Sequence, residues 1–250
     1  LMKGFLILGT QRTGSSAFAE LLAMHPDIGC GWEWANRAGG RARARVAERA
    51  LAGDGSELPA KHARQLYDIL GSGASWLGFR LLFRASHVWV VHPRLSPSLW
   101  LDGLSYVLKW VEGHPDIHVI HLVRGDSLEW LKSKYMAKEA GTYAGTRYPT
   151  GLKVKIPVGD AIRRLQCKHW IDGRIQAVGR TNPYIQLSYE QFREDNSRVV
   201  KEAVRFLGCG PTSLRSTTGK LCRQSTESAV NYIANYQQLV KGLRSAGVPV

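Results

Sequence analysis

Cysteine is scarce in this chain, and its cysteines are not spaced as metal-binding or redox motifs require. The four are scattered, at Cys30, Cys167, Cys209 and Cys222. A structural zinc site needs close Cys or His pairs, and a disulfide-stapled secreted domain needs a denser framework of cysteines. The sequence therefore predicts no metal and indicates reduced thiols in a cytoplasmic protein, with two disulfides left formally open.

Long apolar runs are also lacking. The run FLIL at residues 5–8 is short, whereas a membrane helix needs about 20 apolar residues. It is also too short for the apolar core of a signal peptide. We therefore expect no integral membrane segment. The chain begins Leu1-Met2, so an anchor upstream of residue 1 is left open.

Acidic residues are outnumbered, with 20 Asp and Glu against 34 Lys and Arg and a net charge of +14. Such an excess points to anionic partners, namely a nucleotide, an acidic glycan, a nucleic acid or a membrane surface. The basic stretch at residues 37–53 fits this interpretation, but it fits a solvated helix face equally well. Because no helix-turn-helix or RNA-binding consensus is present, we predict no nucleic-acid partner.

The chain has no internal repeat, no low-complexity tract and no composition shift that would mark a domain boundary. With 250 residues and 44% hydrophobic content, it is long enough to bury one large core. We therefore predict a single domain over residues 1–250.

The most informative segment is GTQRTGSS at residues 9–16, which follows the FLIL run. A strand over residues 3–8, this loop and a helix over 17–25 form the opening of an α/β protein. Further strands are predicted at 76–83, 117–123 and 184–189, and helices at 99–114, 126–140, 160–178, 189–208 and 227–243. The predicted fold is three-layered and P-loop-like, with a central parallel β-sheet flanked by helices.

A strand that enters a helix through a glycine-rich turn aims backbone N–H groups and the positive end of the helix dipole at one point. Such a loop binds a phosphate or a similar oxyanion, and a tight turn without a ligand is the alternative. Hydroxyl groups in the loop can donate to the same anion. The residues predicted to hold it are Gly9, Gln11, Arg12, Thr13, Gly14, Ser15 and Ser16.

The loop lacks the lysine of a nucleoside triphosphatase, because Ser15 stands in its place and the cation is Arg12. The strand at 117–123 is followed by Arg124 rather than by a magnesium-binding aspartate, and Asp126 fits a helix cap. These departures argue against metal-assisted triphosphate chemistry. Sulfuryl transfer from 3′-phosphoadenosine-5′-phosphosulfate (PAPS) fits better, because Arg12 can neutralise the leaving phosphate without a metal.

PAPS carries a 3′-phosphate and so needs a second anion site. Arg124 follows a buried strand, where ligands bind in open parallel sheets, and Ser133 lies in the next helix. This pair could hold a phosphate by charge and hydroxyl together. The alternatives are an ion pair between Arg124 and Asp126 and an ordinary surface position for Ser133.

With these motifs, the chain resembles the PAPS-dependent sulfotransferase family. It is most similar to the bacterial branch that sulfates trehalose-type glycolipids and related carbohydrates. The loop at 9–16 resembles the family's 5′-phosphosulfate loop, and Arg124 with Ser133 matches its 3′-phosphate pair. Residues 189–208 and 219–239 resemble its last segments. The resemblance implies PAPS as co-substrate, 3′,5′-adenosine bisphosphate (PAP) as product, a glycan or glycolipid acceptor, and nucleotide contacts from Lys220, Arg223, Gln224 and Ser225.

The acceptor hydroxyl needs a general base, and the resemblance assigns this role to Glu33, between Trp32 and Trp34. His87 and His92 are rival candidates, and a surface position for Glu33 is the simpler alternative.

The loop at 141–159 is predicted to be an acceptor lid or an oligomer contact, as in a homodimer. A small-molecule kinase and a non-enzymatic polyanion-binding module are the alternative functions, and they predict ATP–Mg binding and steep salt dependence respectively.

Overall fold

The computed structural model describes residues 2–31, 40–83, 98–141, 148–149, 151–211 and 228–250. Within them, one sheet has the order β2-β3-β1-β4-β5, and every neighbouring pair is parallel. The strands are β1 (Lys3–Thr10), β2 (Ile28–Gly31), β3 (Trp76–Phe83), β4 (His118–Val123) and β5 (Tyr184–Ser188). This architecture confirms the α/β fold with a central parallel sheet.

The helices of the described residues lie between successive strands, singly or in pairs, and four of them follow β5. They are α1 (Ser15–Leu22), α2 (Gly40–Leu51), α3 (Ala60–Gly71), α4 (Ser98–Glu112), α5 (Ser127–Glu139), α6 (Val158–Ala177), α7 (Tyr189–Glu194), α8 (Asn196–Phe206), α9 (Ala229–Tyr232) and α10 (Tyr236–Ser245). A short 3₁₀ turn (Val178–Arg180) follows α6. In this part of the chain, no helix combines the length and apolar character that crossing a membrane requires.

Strand β1 is the central strand of the sheet, and this position explains its apolar sequence. Leu6 and Leu8 point into one core, and Phe5 and Ile7 into the other. Successive side chains of a strand face opposite sides, so a strand buried on both faces reads as a continuous apolar run. The FLIL segment is therefore apolar because both faces of the sheet are covered.

Two helical layers cover the sheet. One core contains side chains of α2, α4, α5, α6 and α10, such as Ala47, Val107 and Ile171. The opposite core is built on α1 and α8, with Phe18 and Val200 among its buried residues. The predicted three-layer arrangement is therefore observed, and all five strands end at one edge of the sheet because they are parallel.

Several elements differ from the sequence prediction, among them helix α3, which was not predicted. Strand β2 was not predicted, because it has only 4 residues and two of them are glycines. The helix predicted over 189–208 is divided at Asp195, whose carboxylate accepts a hydrogen bond from the Arg198 N–H. The final helix is likewise divided into α9 and α10, and Ile233 between them forms a bridge with Val154.

The described part of the basic stretch forms α2, and some of its charge is paired at the surface. Arg45 lies 2.8 Å from a carboxylate oxygen of Glu57, and Arg49 lies 3.3 Å from the other oxygen. Both arginine side chains are exposed. Such exposed pairs contribute little stability. They fit the solvated-face interpretation of this stretch.

Far from the sheet's carboxyl edge, His25 joins the α1–β2 turn to the end of α8. Its Nδ1 accepts from the backbone N–H of Asp27 at 3.2 Å, and its Nε2 is 3.0 Å from the carbonyl of Gly210. Ligand atoms of His25, Asp27 and Cys209 lie within 4.8 Å of one another. Because both ring nitrogens are bonded to the backbone, we interpret the buried histidine as a structural contact between the two segments.

Candidate active site

The two glycines of the loop are fixed by local geometry. Gly14 caps α1 at φ 75°, in the left-handed region, and a Cβ there would lie 2.7 Å from the Tyr189 ring. A Cβ on Gly9 would lie 2.5 Å from the carbonyl oxygen of Leu122 on the neighbouring strand. The first position therefore needs glycine for its backbone conformation and its packing, and the second for its packing against β4.

Other residues hold the loop in place from within the protein. The N–H of Gln11 donates to the Phe83 carbonyl at 3.2 Å, and its own carbonyl accepts from the Trp130 indole at 2.8 Å. The hydroxyl of Thr13 donates to the carbonyl of Thr10 at 3.1 Å and so closes the turn. A ligand contact from Gln11 would therefore come from its side chain, and the hydroxyl donors that fit the anion best are those of the serines.

Ser15 and Ser16 form the first turn of α1, where the backbone N–H groups have no partner within the helix. The first bond of the helix runs from the Phe18 N–H to the Gly14 carbonyl at 3.1 Å. The positive end of the helix dipole lies at the same place. This turn has the geometry that binds a phosphate or a sulfate group.

Arg12 is held in an unfavourable backbone conformation. Among the described residues it is the only one other than glycine with a positive φ, at 72°. The left-handed region costs a residue with a Cβ about 1–2 kcal/mol, and such strain concentrates at functional sites. The Arg12 guanidinium donates to the Ser133 hydroxyl at 2.9 Å and to the Tyr148 hydroxyl at 3.1 Å. The loop cation is therefore held beside the predicted second anion site.

Arg124 meets the same loop from the end of β4. It is 5% exposed, donates to the backbone carbonyl of Arg12 at 3.2 Å, and lies 4.3 Å above the Tyr189 ring. Its ion pair is with Glu129, at 3.3 Å. The alternative of a pair with Asp126 is wrong, because that carboxylate caps α5 by accepting from the Glu129 N–H.

Charged groups of both signs surround Arg124, because Glu129, Glu190 and Asp126 all favour its charged form. Glu129 also accepts from Lys132, at 2.8 Å, so one carboxylate serves two buried cations. Burial lowers the pKa of Arg124, while Tyr189 and Glu129 favour its charged form. A guanidinium stays charged under these conditions. With Arg12 nearby, the site can balance the charge of an anionic ligand.

Ser133 is not an ordinary surface serine. It lies on α5 and its hydroxyl accepts the hydrogen bond from Arg12. The structure therefore brings the loop, Arg124 and Ser133 together at one edge of the sheet, because Arg12 contacts both of the other residues.

Tyr148 was not predicted. Its ring is buried, and its hydroxyl donates to the Ser133 carbonyl at 3.2 Å while accepting from Arg12. Burial raises the pKa of Tyr148, so the hydroxyl stays protonated at neutral pH. The residue is 136 positions from Arg12, and no local pattern signals the contact.

Arg80 was also missed, although the sequence held a signal. It lies in the middle of β3, in the apolar segment GFRLLF, and is 2% exposed. Its guanidinium donates to the hydroxyls of Ser15, at 3.4 Å, and Ser16. A lone arginine inside an apolar strand is unusual enough to mark a buried polar contact.

The corner that follows β5 is tied to the Arg124 segment by Glu190. Its carboxylate accepts from the Ser188 hydroxyl at 2.8 Å and from the N–H groups of Gly125 and Asp126 at 3.2 Å. Burial alone would raise the pKa of Glu190, but these hydrogen bonds hold it below its ordinary value. The ionised carboxylate therefore stabilises this corner.

We expect Glu190→Gln to lower the free energy of unfolding near neutral pH and to have less effect in acid. The depressed pKa means that the carboxylate contributes stability above the unfolded-state value, about 4.3, and loses it as the pH falls through the folded-state value. Urea unfolding near pH 7 and near pH 3 measures the difference in free energy of unfolding between the wild type and the variant at each pH. Exposed Glu194, in the same helix, is the control for Glu→Gln. An equal difference in free energy of unfolding at both pH values would contradict this account.

Several predicted site residues lie outside the described residues. They are Glu33, the rival bases His87 and His92, and the C-terminal residues Lys220, Arg223, Gln224 and Ser225. Of the loop predicted at 141–159, residues 142–147 and 150 also lie outside. Their roles stay predictions.

The fold and this loop define a phosphate-loop-type α/β protein in which a second cation adjoins the loop. A model of the sulfotransferase family matches residues 5–212. The chain therefore belongs to the sulfotransferase family, whose reaction is sulfuryl transfer. No curated protein matches the chain.

Solved structures of bacterial sulfotransferases are similar to it. The sulfotransferase domain of the Synechococcus PCC 7002 olefin synthase is 14% identical, with a TM-score of 0.47, over 100% of this chain and 89% of its own. A sulfotransferase from Alicyclobacillus acidocaldarius is 12% identical, with a TM-score of 0.46, over 100% of this chain and 98% of its own. Sulfotransferase STF9 from Mycobacterium avium is 12% identical, with a TM-score of 0.45, over 98% of this chain and 76% of its own. The family assignment depends on the family model, not on these likenesses.

Proposed function

We propose that this protein transfers the sulfuryl group of PAPS to a hydroxyl of a carbohydrate or glycolipid. One observation carries the nucleotide part of the proposal. Arg12 is itself part of the loop that forms the first predicted anion subsite, and it contacts both members of the second, with its backbone carbonyl bonded to Arg124 and its side chain to Ser133. A nucleotide with phosphates at both its 5′ and 3′ positions fits such an arrangement.

The residues fit the two ends of that nucleotide separately. The α1 N-terminus and the hydroxyls of Ser15 and Ser16 would hold the 5′-phosphate, and Arg124 with Ser133 would hold the 3′-phosphate. Glycine at position 14 keeps the turn free of a side chain. By family resemblance, the segment at 219–239 would close over the nucleotide.

Bound PAPS would supply the sulfuryl group, and the protein would supply charge, orientation and a base. Arg12 would donate to the oxygen of the leaving phosphate and stabilise its growing negative charge. As the acceptor oxygen bonds to sulfur, the bond from sulfur to the phosphate oxygen breaks and PAP is released. Glu33 would take the proton from the acceptor hydroxyl.

Calorimetric titration of the wild-type protein with PAP, 5′-AMP and ATP–Mg tests the nucleotide. We expect PAP to bind more tightly than 5′-AMP without metal. Preference for ATP–Mg would instead favour a kinase. Salt-sensitive binding of polyanions without nucleotide selectivity would favour a binding module.

We expect Glu33→Gln to lower turnover by about 10²-fold, the lower end of a general base's contribution, because water can still accept the proton. The affinity for PAP should be unchanged, since the substitution leaves the nucleotide contacts in place. The measurement is the kcat of sulfuryl transfer across a pH series. His87→Ala and His92→Ala are the matched controls. Loss of turnover in one of them, with Glu33→Gln active, would assign the base to that histidine.

The acceptor class rests on resemblance alone. A screen of trehalose, other sugars, glycolipids and phenols, with PAP release as the readout, would test it. Transfer to phenols and not to sugars would overturn the carbohydrate assignment while leaving the nucleotide site intact.

A further inference from the structure

Arg80 is a buried cation whose place in β3 is costly. In the parallel register it lies beside Ile7 of β1, within a strand whose residues are all buried. Removing a charged group from water costs several kcal/mol after relaxation. An apolar residue in this strand would avoid that cost. The hydrogen bonds of the guanidinium therefore indicate what the arginine contributes.

Those hydrogen bonds constrain the direction of two hydroxyl groups. A guanidinium donates and never accepts, whereas a serine hydroxyl has one hydrogen to donate and lone pairs to accept with. When Arg80 donates to Ser15 and Ser16, each serine oxygen acts as acceptor on that side. Each O–H must therefore point away from Arg80.

We propose that Arg80 is a positioning residue that sets the hydroxyls of Ser15 and Ser16 as donors to the anion bound by the loop. The inference rests on the proposed function, since it assigns that anion as the 5′-phosphate of the nucleotide. An ordinary hydroxyl rotates between donor and acceptor roles, and only the donor role favours an anion. A buried positive charge behind the hydroxyls adds to the attraction.

This role makes the effect of Arg80 specific to one end of the ligand. Ser15 and Ser16 belong to the loop, whereas Arg124 and Ser133 form the subsite assigned to the 3′-phosphate. Loss of Arg80 should therefore weaken ligands that carry a 5′-phosphate. It should leave the affinity of a 3′-monophosphate unchanged.

The test is calorimetry with 5′-AMP, 3′-AMP and PAP on the wild type, Arg80→Met and Arg80→Lys. Arg80→Met should weaken 5′-AMP and PAP by about tenfold to a hundredfold, the range of hydrogen bonds to charged groups, and leave 3′-AMP unchanged. Arg80→Lys should recover part of the affinity, because lysine is also a pure donor. Exposed Arg198→Met controls for the loss of net charge.

A double-mutant cycle shows whether Arg80 acts through the serines. In a protein carrying Ser15→Ala and Ser16→Ala, Arg80→Met should weaken 5′-AMP less than it does in the wild type. Fully additive effects, or equal weakening of 3′-AMP, would overturn the role. If Arg80→Met does not fold, Arg80→Lys takes its place in the cycle with the same criteria.

The outcomes separate this inference from the proposed function. If the wild type binds PAP and the cycle is additive, only the role of Arg80 fails. If the wild type binds none of the three nucleotides, the proposed function fails and the inference fails with it.

Discussion

Arg12→Gly should retain the fold and lose most of the sulfuryl transfer. We expect kcat to fall by about 10²–10³-fold, as when one preorganised donor to a developing negative charge is removed. Arg12 is the cation that the loop itself supplies, and its side chain is held between Ser133 and Tyr148.

Stability should not follow activity in this variant. Position 12 has φ 72°, a conformation that glycine adopts without the strain that a Cβ imposes. Relief of this strain offsets the lost hydrogen bonds and the greater freedom of glycine in the unfolded chain. Thermal unfolding and single-turnover kinetics on the same preparation measure both quantities.

Arg12→Ala and Arg12→Lys are the controls. Alanine removes the side chain and keeps the strain, so it should be as inactive as glycine and less stable. Lysine keeps a charge and should keep part of the activity. Turnover within a few-fold of wild type in both Arg12→Gly and Arg12→Ala would sink the assigned role of Arg12.

Arg124→Ala should remove the preference for a nucleotide with a 3′-phosphate. We expect the affinity for PAP to fall by about 10²–10³-fold, the range found when one partner of a buried, hydrogen-bonded charge pair is truncated. The affinity for 5′-AMP should change little, because it lacks the group that Arg124 is assigned to hold. Calorimetry with both nucleotides gives the ratio directly.

The substitution is a fair test because it does not isolate a buried carboxylate. Glu129 keeps Lys132 as a partner at 2.8 Å when Arg124 is removed. Ser133→Ala should lower PAP affinity by less than Arg124→Ala, since it deletes a neutral hydroxyl. Equal losses for PAP and 5′-AMP in Arg124→Ala would instead mean that the arginine supports the loop through the Arg12 carbonyl.

The loop and the strand that precedes it could be predicted because their signals are local. Gly9 and Gly14 are loop residues at which a Cβ would collide with the protein. Asp126 was recognised as a cap for the same reason, since capping depends on residues three positions apart. Strand β2 could not be predicted, because four residues of which two are glycines carry no periodic pattern.

The partners of the predicted site residues could not be predicted in the same way. Arg124 has Asp126 as its nearest carboxylate along the chain, yet it pairs with Glu129. Glu129 lies in the first turn of α5, where its carboxylate reaches the Arg124 guanidinium. The carboxylate of Asp126 instead caps the helix by accepting from the Glu129 N–H. Tyr148 reaches Arg12 from a distant loop, and such a contact depends on how α5 and the following segment pack.

The sequence by itself determined the α/β class and the glycine-rich loop without its lysine, and it predicted Arg124 and Ser133 as members of a second anion site. These follow from short-range rules of backbone geometry and from apolar periodicity. Only the tertiary structure decided that Arg12 contacts both members of the second site, that Tyr148 contacts Arg12, and that Arg80 lies behind the serines. The reason is physical: parallel strands bring residues that are far apart in sequence to one edge of the sheet, and burial then determines which polar groups must pair.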